Sequence, residues 1–131
     1  MQQALLMEKY PVFYMELGKD ETSFSSVDEI IAYLKEQVDA HPVATYIATF
    51  DHYSHTNSLP DGKISDHIKD AKNIVFCFGI ALPDTKVLAV RPRSIGVCET
   101  DKGFDINFME APMPVANIAM EKWAKSLRNT G

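Results

Sequence analysis

The clearest periodic pattern in the chain lies between residues 26 and 41. Apolar side chains recur there at the i, i+3, i+4 and i+7 spacing that places them on one face of a helix. They are Val27, Ile30, Ile31, Leu34 and Val38. Ser26 and Glu29 have the spacing of a capping box at the start of a helix. Because Pro42 disfavours helical geometry at His41, the pattern predicts that the helix ends there.

Six other segments have the apolar runs, or the alternation of apolar and polar residues, that are typical of strands. They are residues 10–17, 43–50, 73–80, 86–92, 94–100 and 104–111. The alternative for 86–92 and 94–100 is a single strand that bends at Pro92. The run 43–50 is almost continuously apolar, which predicts a strand covered on both faces. The run 73–80 is the most apolar, and it is predicted to be central.

Two shorter patterns predict further helices. In residues 63–72, an apolar stripe predicts about two helical turns; it comprises Ile64, Ile68 and Ala71. Pro114 suits the first turn of a last helix, because this position tolerates a missing amide. The inward face of that helix is predicted to comprise Ile118, Ala119, Trp123 and Leu127. The polar segment 51–62 is predicted to be a loop.

The predicted order of elements is therefore β-α-β-α-β-β-β-β-α. Strands that follow one another without intervening helices favour an antiparallel sheet, so we predict an α+β fold. It is expected to be a two-layer sandwich with a mostly antiparallel sheet and its helices packed on one face. The length of 131 residues is typical of one domain, and residues 1–131 are predicted to form it. No GxGxxG motif is present to indicate a doubly wound nucleotide-binding fold.

Charge and composition narrow the class of partner. Lys and Arg total 13 against 18 Asp and Glu, for a formal net charge of -5. Domains that bind nucleic acid usually carry a basic stripe, so no nucleic-acid partner is predicted. No apolar run approaches the roughly 20 residues that cross a bilayer, so no membrane association is predicted.

The amino terminus and the cysteines favour a cytoplasmic protein. Residues 1–13 lack the basic leader and apolar run of a signal peptide. Cys77 and Cys98 lie within apolar strand-like runs, where thiols are more often core residues than part of a disulfide framework. Apolar neighbours around Cys77 and carboxylates near Cys98 disfavour the thiolate, so neither residue is predicted to be a nucleophile.

Two histidines and an aspartate follow the apolar run 43–50. Asp51, His52 and His55 have side chains that ligate zinc or iron, and His67 lies twelve residues further on. His52 and His55 converge only if Tyr53 and Ser54 form a turn or a helical start, because residues three apart in a strand point to opposite faces. The sequence contains no HExxH motif, and polar residues commonly gather where a strand meets solvent. No cofactor is predicted; a divalent metal at these histidines is the less favoured alternative.

A second candidate site lies in residues 90–96. Arg91 and Arg93 flank Pro92 inside an apolar β region of an acidic chain. Residues two apart in a strand share a face, so the two guanidinium groups can bind one carboxylate or phosphate together. The structural interpretation is favoured over this one, since edge strands often carry positive side chains that prevent edge-to-edge association.

Three stretches carry a resemblance to a known family. With ATYIATFDHYSHT (residues 44–56), NIVFCFG and LAVRPRSIGV, the chain resembles a family of small bacterial proteins of unknown function. The likeness runs over most of the chain. It implies a compact cytoplasmic protein, and the family supplies no catalytic assignment.

Three functions from different classes follow from these patterns. The first is binding of a small anionic ligand or a protein partner, with charge from Arg91 and Arg93 and hydrogen bonds from the 51–55 segment. The second is a metal-assisted or histidine-dependent enzyme that uses His52 and His55, with His67 as a further candidate. The third is a structural subunit that forms a homo-oligomer through an exposed sheet edge.

Overall fold

A single sheet of six strands forms the centre of the molecule. The computed structural model describes residues 1–130. The strands are β1 (Gln2–Leu6), β2 (Tyr10–Gly18), β3 (Thr45–Phe50), β4 (Ile68–Cys77), β5 (Arg93–Thr100) and β6 (Gly103–Met109). Their spatial order is β1-β2-β6-β5-β4-β3, and every neighbouring pair is antiparallel. The prediction of an α+β fold with an antiparallel sheet is confirmed.

Two long helices, α1 (Val27–Ala40) and α3 (Pro114–Lys125), pack on one face of this sheet. A short helix, α2 (His52–Ser58), follows the edge strand β3 and contains no buried residue. Because side chains alternate along a strand, the buried residues of β2, β4, β5 and β6 come mostly from alternate positions, which face the two long helices. These inward residues include Leu17, Ile74, Phe76, Ile95, Val97, Phe104 and Ile106. At the centre of the core, the Phe78 ring stacks on Trp123 of α3, with ring centroids 5.6 Å apart.

The helix predicted from the apolar period is confirmed in detail. The five predicted apolar residues of α1 are its buried residues, and the Ser26 side chain accepts a hydrogen bond from the Glu29 amide. The Glu29 carboxylate accepts from the amide of Ser25 at 2.8 Å, one residue before the position that a capping box predicts. The helix ends at Ala40, before Pro42.

Three predicted elements are corrected by the structure, and one strand was not predicted. Residues 63–72 do not form a helix, because β4 begins at Ile68 and contains an irregularity between Ile68 and Asp70. The run 86–92 is a 3-10 turn, Thr85–Val90, rather than a strand. The loop predicted over 51–62 contains α2, and the sixth strand is β1 at the amino terminus. The observed order is β-β-α-β-α-β-β-β-α.

Three predicted environments also differ from the structure. The strand predicted to be covered on both faces, β3, lies at the edge of the sheet, and Ile47 and Phe50 on it are exposed. The most apolar strand, β4, lies next to that edge, whereas β5 and β6 occupy the centre. On α3, Ile118 is 67% exposed, and the inward face instead includes Ala116 and Met120. An apolar sequence does not by itself specify which strands have a neighbour on each side.

The opposite face of the sheet is formed by the alternate strand residues, many of them half-buried. Gly96 lies in this face between Asn73 and Asn107, the residues paired with it on β4 and β6. No helix among residues 1–130 is both long and apolar enough to cross a membrane.

Candidate functional site

The segment of Asp51, His52 and His55 forms the start of α2. The Asp51 carboxylate caps the helix by accepting a hydrogen bond from the Ser54 amide at 3.0 Å. That hydrogen bond is the main cause that holds the pKa of Asp51 below its usual range, and Lys72, whose Nζ lies 3.7 Å away, lowers it further. The sequence required a helical start for the two histidines to converge, and α2 supplies it.

The two histidine rings pack against the same aromatic side chain. The ring centroids of His52 and His55 lie 5.4 Å and 5.3 Å from that of Phe50. Both histidine side chains are exposed. The rings therefore lie around Phe50 on the outside of the molecule.

His67 lies apart from the other two histidines. Phe50 pairs with Asn73 of β4, whereas His67 immediately precedes Ile68 at the start of that strand. At about 3.3 Å per strand residue, Ile68 and Asn73 are about 16 Å apart. Within residues 1–130, no three His, Cys, Asp or Glu side chains are grouped closely enough to hold a metal ion. A metal bound by these histidines stays a prediction.

His67 instead lines a cavity that the sequence did not indicate. This cavity has a volume of about 530 Å³, and Glu16 and Asp105 line it as well. Asp105 on β6 pairs with Glu16 on β2 and with Cys98 on β5. Burial raises the pKa of Asp105, and the neighbouring Glu16 carboxylate raises it further, while His67 acts in the opposite direction. Sequence reasoning identified residues 104–111 as an alternating strand but not the carboxylate that faces Asp105 from β2.

The thiol of Cys98 has the character expected from its sequence. Burial raises its pKa, and the carboxylates of Asp105 and Asp70 add to that effect. Cys77 and Cys98 are both unpaired thiols. The structure thus gives Cys98 an environment that disfavours the thiolate.

The arginine pair lies at the end of the sheet where β4 leaves and β5 begins. Arg91 donates from Nη1 to the carbonyl oxygen of Ala81 at 2.6 Å, and its Nη2 lies 4.0 Å from the thioether sulfur of Met113. A thioether is a weak acceptor, so this second nitrogen retains donor capacity. No Asp or Glu of residues 1–130 forms an ion pair with Arg91.

Arg93 forms hydrogen bonds to two backbone carbonyls, whereas Arg91 forms one. Arg93 donates to the carbonyl oxygen of Val90 at 3.2 Å and to that of Met109. Its Nε is buried and has no hydrogen-bond partner among the described residues, and burial lowers the pKa of the guanidinium. The two arginines therefore bind different carbonyls within the structure. Their joint grip on one anion stays a prediction.

Arg91 also lines a second cavity, which we call the Arg91 groove. It has a volume of about 530 Å³, and its lining includes Ile47, Ile80, Leu82, Leu88, Arg91 and Pro92. Ile47 is the extra residue of a bulge in β3. The other apolar residues come from the connection between β4 and β5, and Ile80 is 81% exposed. The groove thus combines apolar walls with one guanidinium.

Glycine at position 79 allows this arrangement. A Cβ atom at Gly79 would lie 2.5 Å from Nη1 of Arg91, so the guanidinium occupies the space that any other residue would need. Neither Gly79 nor Ile47 was a candidate from the sequence. The only local signal for this groove in the sequence was a glycine that follows an apolar strand and precedes further apolar residues.

Comparisons with known proteins place the chain in a family. The model of a family of unknown function, DUF6858, matches residues 1–129. The chain belongs to this family. The family assignment confirms the resemblance to an uncharacterised family, and it assigns no activity to any residue. Searches of curated proteins and of solved structures found no match.

Proposed function

We propose that this DUF6858 protein binds a ligand that combines a carboxylate with an apolar body, and that the Arg91 groove is its binding site. The observation that carries this proposal is the position of Arg91, a guanidinium without a carboxylate partner among residues 1–130, in a groove with apolar walls. Pockets that are mostly apolar and contain a few convergent polar groups are typical binding sites for small molecules.

The charge and the volume of the groove support this ligand class. A hydrogen bond from a guanidinium to a carboxylate is stronger than one between neutral groups, and Arg91 Nη2 has only a thioether contact to exchange. The volume of about 530 Å³ falls within the range of roughly 300–1,000 Å³ that small-molecule pockets occupy. Arg93 supplies a second positive charge nearby, and it ties Val90 of the connecting segment to Met109 at the end of β6.

The unpaired thiols support the compartment in which this binding takes place. Cys77 and Cys98 are both free, as is usual for proteins kept in a reducing compartment. We place the proposed binding in the cytoplasm on this ground.

The proposal is tested with octanoate, its neutral counterpart octanol, and inorganic phosphate. A ligand that binds only the folded state raises the unfolding temperature, so octanoate should stabilise the protein more than either of the other two. Calorimetric titration then compares the wild type with Arg91→Ala. Loss of a charge-assisted hydrogen bond is worth about 1.5–3 kcal/mol, which predicts roughly 10- to 100-fold weaker octanoate binding.

Lys86→Ala is the matched control for this titration. Lys86 is an exposed residue of the same segment, and it does not line the groove. Its removal changes the net charge as Arg91→Ala does but should leave octanoate affinity unchanged. Equal binding of octanoate by the wild type and by Arg91→Ala would contradict the proposal. An equal loss in both variants would also contradict it, because it would show a general effect of charge.

A further inference from the structure

The edge of the sheet beside the Arg91 groove is open for pairing. β3 is the last strand on this side, and five of its six residues are exposed. An edge strand presents unpaired N–H and C=O groups, which natural proteins usually protect with charged residues or proline. β3 has the sequence TYIATF, which contains neither. Its bulge at Ile47 is the one protective feature of this strand, and Ile47 itself lines the groove.

The direction of β3 determines where an added strand would end. β3 starts at Thr45, which pairs with Cys77 at the end of β4, and it runs away from that end to Phe50. An added antiparallel strand would run from Phe50 toward Thr45. Its carboxyl end would therefore arrive where the chain leaves β4, which is the side of the sheet that contains Gly79 and Arg91.

The chemistry at that end suits a terminal carboxylate. Arg91 has no carboxylate partner among residues 1–130, and its positive charge lies beside apolar walls that include Ile80 and Leu82. In an extended peptide, successive side chains point to opposite sides, so one apolar side chain near the terminus can enter the groove while the backbone pairs with β3. The open edge and the groove thus share Ile47, and the same groove contains the guanidinium of Arg91.

We propose that the ligand of the Arg91 groove is the carboxyl-terminal segment of a partner protein, which adds to β3 as an antiparallel strand. The inference rests on the proposed function, since the same groove and the same arginine receive the carboxylate. Main-chain hydrogen bonds to β3 supply affinity, the groove selects an apolar residue near the terminus, and Arg91 recognises the free carboxylate. The six residues of β3 can pair with about six residues of the partner, a length of about 20 Å.

The first test is a selection from random heptapeptides displayed with free carboxyl termini on the purified protein. The selected sequences should share an apolar residue at or next to the terminus. The best peptide is then synthesised as the free acid and as the terminal amide, and the affinity of each is measured by fluorescence polarisation. The acid should bind at least tenfold more tightly to the wild type, and Arg91→Ala should bind both forms about equally.

Backbone methylation of the same peptide tests strand addition. Methyl groups placed on successive amide nitrogens should weaken binding at every second position, because alternate amides of an added strand point toward β3. A peptide bound only by its side chains and its carboxylate would show no such alternation. Absence of the alternation, or equal affinity of acid and amide for the wild type, overturns the inference.

The failures of the two proposals give different results. If octanoate binding depends on Arg91 but no peptide is selected, the inference falls and the proposed function stands. If Arg91→Ala leaves octanoate binding unchanged, the proposed function falls. Octanol and the peptide amide are measured beside their acids. These measurements distinguish binding through apolar contacts alone from recognition of the carboxylate.

A second copy of the chain is the competing occupant of β3. Sedimentation equilibrium of the peptide-free protein measures this directly, with Ala48→Lys on β3 and Ala4→Lys on β1 as matched variants. Both alanines are exposed residues on the two opposite edge strands. A monomer in all three proteins is expected. A dimer that Ala48→Lys dissociates and Ala4→Lys does not would show that β3 pairs with itself, and it would overturn the peptide inference.

Discussion

The Arg91 guanidinium lies directly against Gly79, so closely that a Cβ atom on this glycine would be 2.5 Å from Nη1. The same nitrogen donates to the carbonyl oxygen of Ala81 at 2.6 Å. A single position without a side chain therefore decides where the one positive charge of the Arg91 groove is placed. This relationship links the backbone after β4 to the proposed recognition of a carboxylate.

Gly79→Ala should displace Arg91 and weaken octanoate binding while the fold is retained. The obstructing atoms belong to the far end of a flexible side chain, so the guanidinium can move and the backbone need not. Calorimetric titration should show a loss of affinity in the same direction as Arg91→Ala. Gly96→Ala is the control: it lies in the sheet between Asn73 and Asn107, outside the groove lining, and should bind as the wild type does. Unchanged octanoate binding by Gly79→Ala would show that the position of the Arg91 guanidinium does not affect octanoate affinity.

Asp51→Ala should lower the unfolding temperature at pH 7. Asp51 caps α2 through the Ser54 amide, and its pKa is lowered, first by that hydrogen bond. A carboxylate with a lowered pKa stabilises the fold above its unfolded-state pKa, and this contribution is lost as the pH falls through the folded-state value. The difference between wild type and Asp51→Ala should therefore disappear in acid. Asp51→Asn, which keeps a capping acceptor, should lose less than alanine does at pH 7.

Asp105→Asn should raise the unfolding temperature at pH 7, whereas Asp51→Ala should lower it. Burial, followed by Glu16, raises the pKa of Asp105, so the ionised carboxylate is disfavoured in the folded state. The stability that this group contributes is complete below its unfolded-state pKa, and it is lost as the pH rises through the raised folded-state value. The variant should unfold at a higher temperature than the wild type at pH 7 and at the same temperature in acid. Asp61→Asn, at an exposed loop carboxylate, is the control for the change in net charge. An equal rise in its unfolding temperature would show that the effect comes from net charge and not from the burial of Asp105.

Phe76→Ala should destabilise the protein by about 3–5 kcal/mol, since it removes a fully buried aromatic side chain and leaves a cavity. The Phe76 ring contacts both Phe78 and Trp123 edge-on, with centroids 5.6 Å and 5.7 Å away. Chemical denaturation measures the loss. Phe50→Ala is the comparison, because Phe50 is 43% exposed at the sheet edge. A similar loss in both variants would contradict the central position of Phe76 in the core.

Much of the core could be predicted from local pattern, because one apolar face of a long helix or strand has to be buried. The buried residues of α1 follow directly from their helical spacing, and the alternation in residues 104–108 separates Phe104 and Ile106 from Asp105. The prediction failed where a short pattern fits two structures. Ile68 and Ala71 have helical spacing, but they lie on β4 across a bulge that interrupts the strand alternation.

The sequence by itself determined the fold class and the buried face of α1. It did so because hydrophobic periodicity acts between neighbouring residues. Only the tertiary structure decided that β3 lies at an edge, that Glu16 faces Asp105, and that Ile47 and Arg91 line one groove. These relationships join residues 40 or more positions apart, and their proximity depends on strand order and register, which no local pattern encodes.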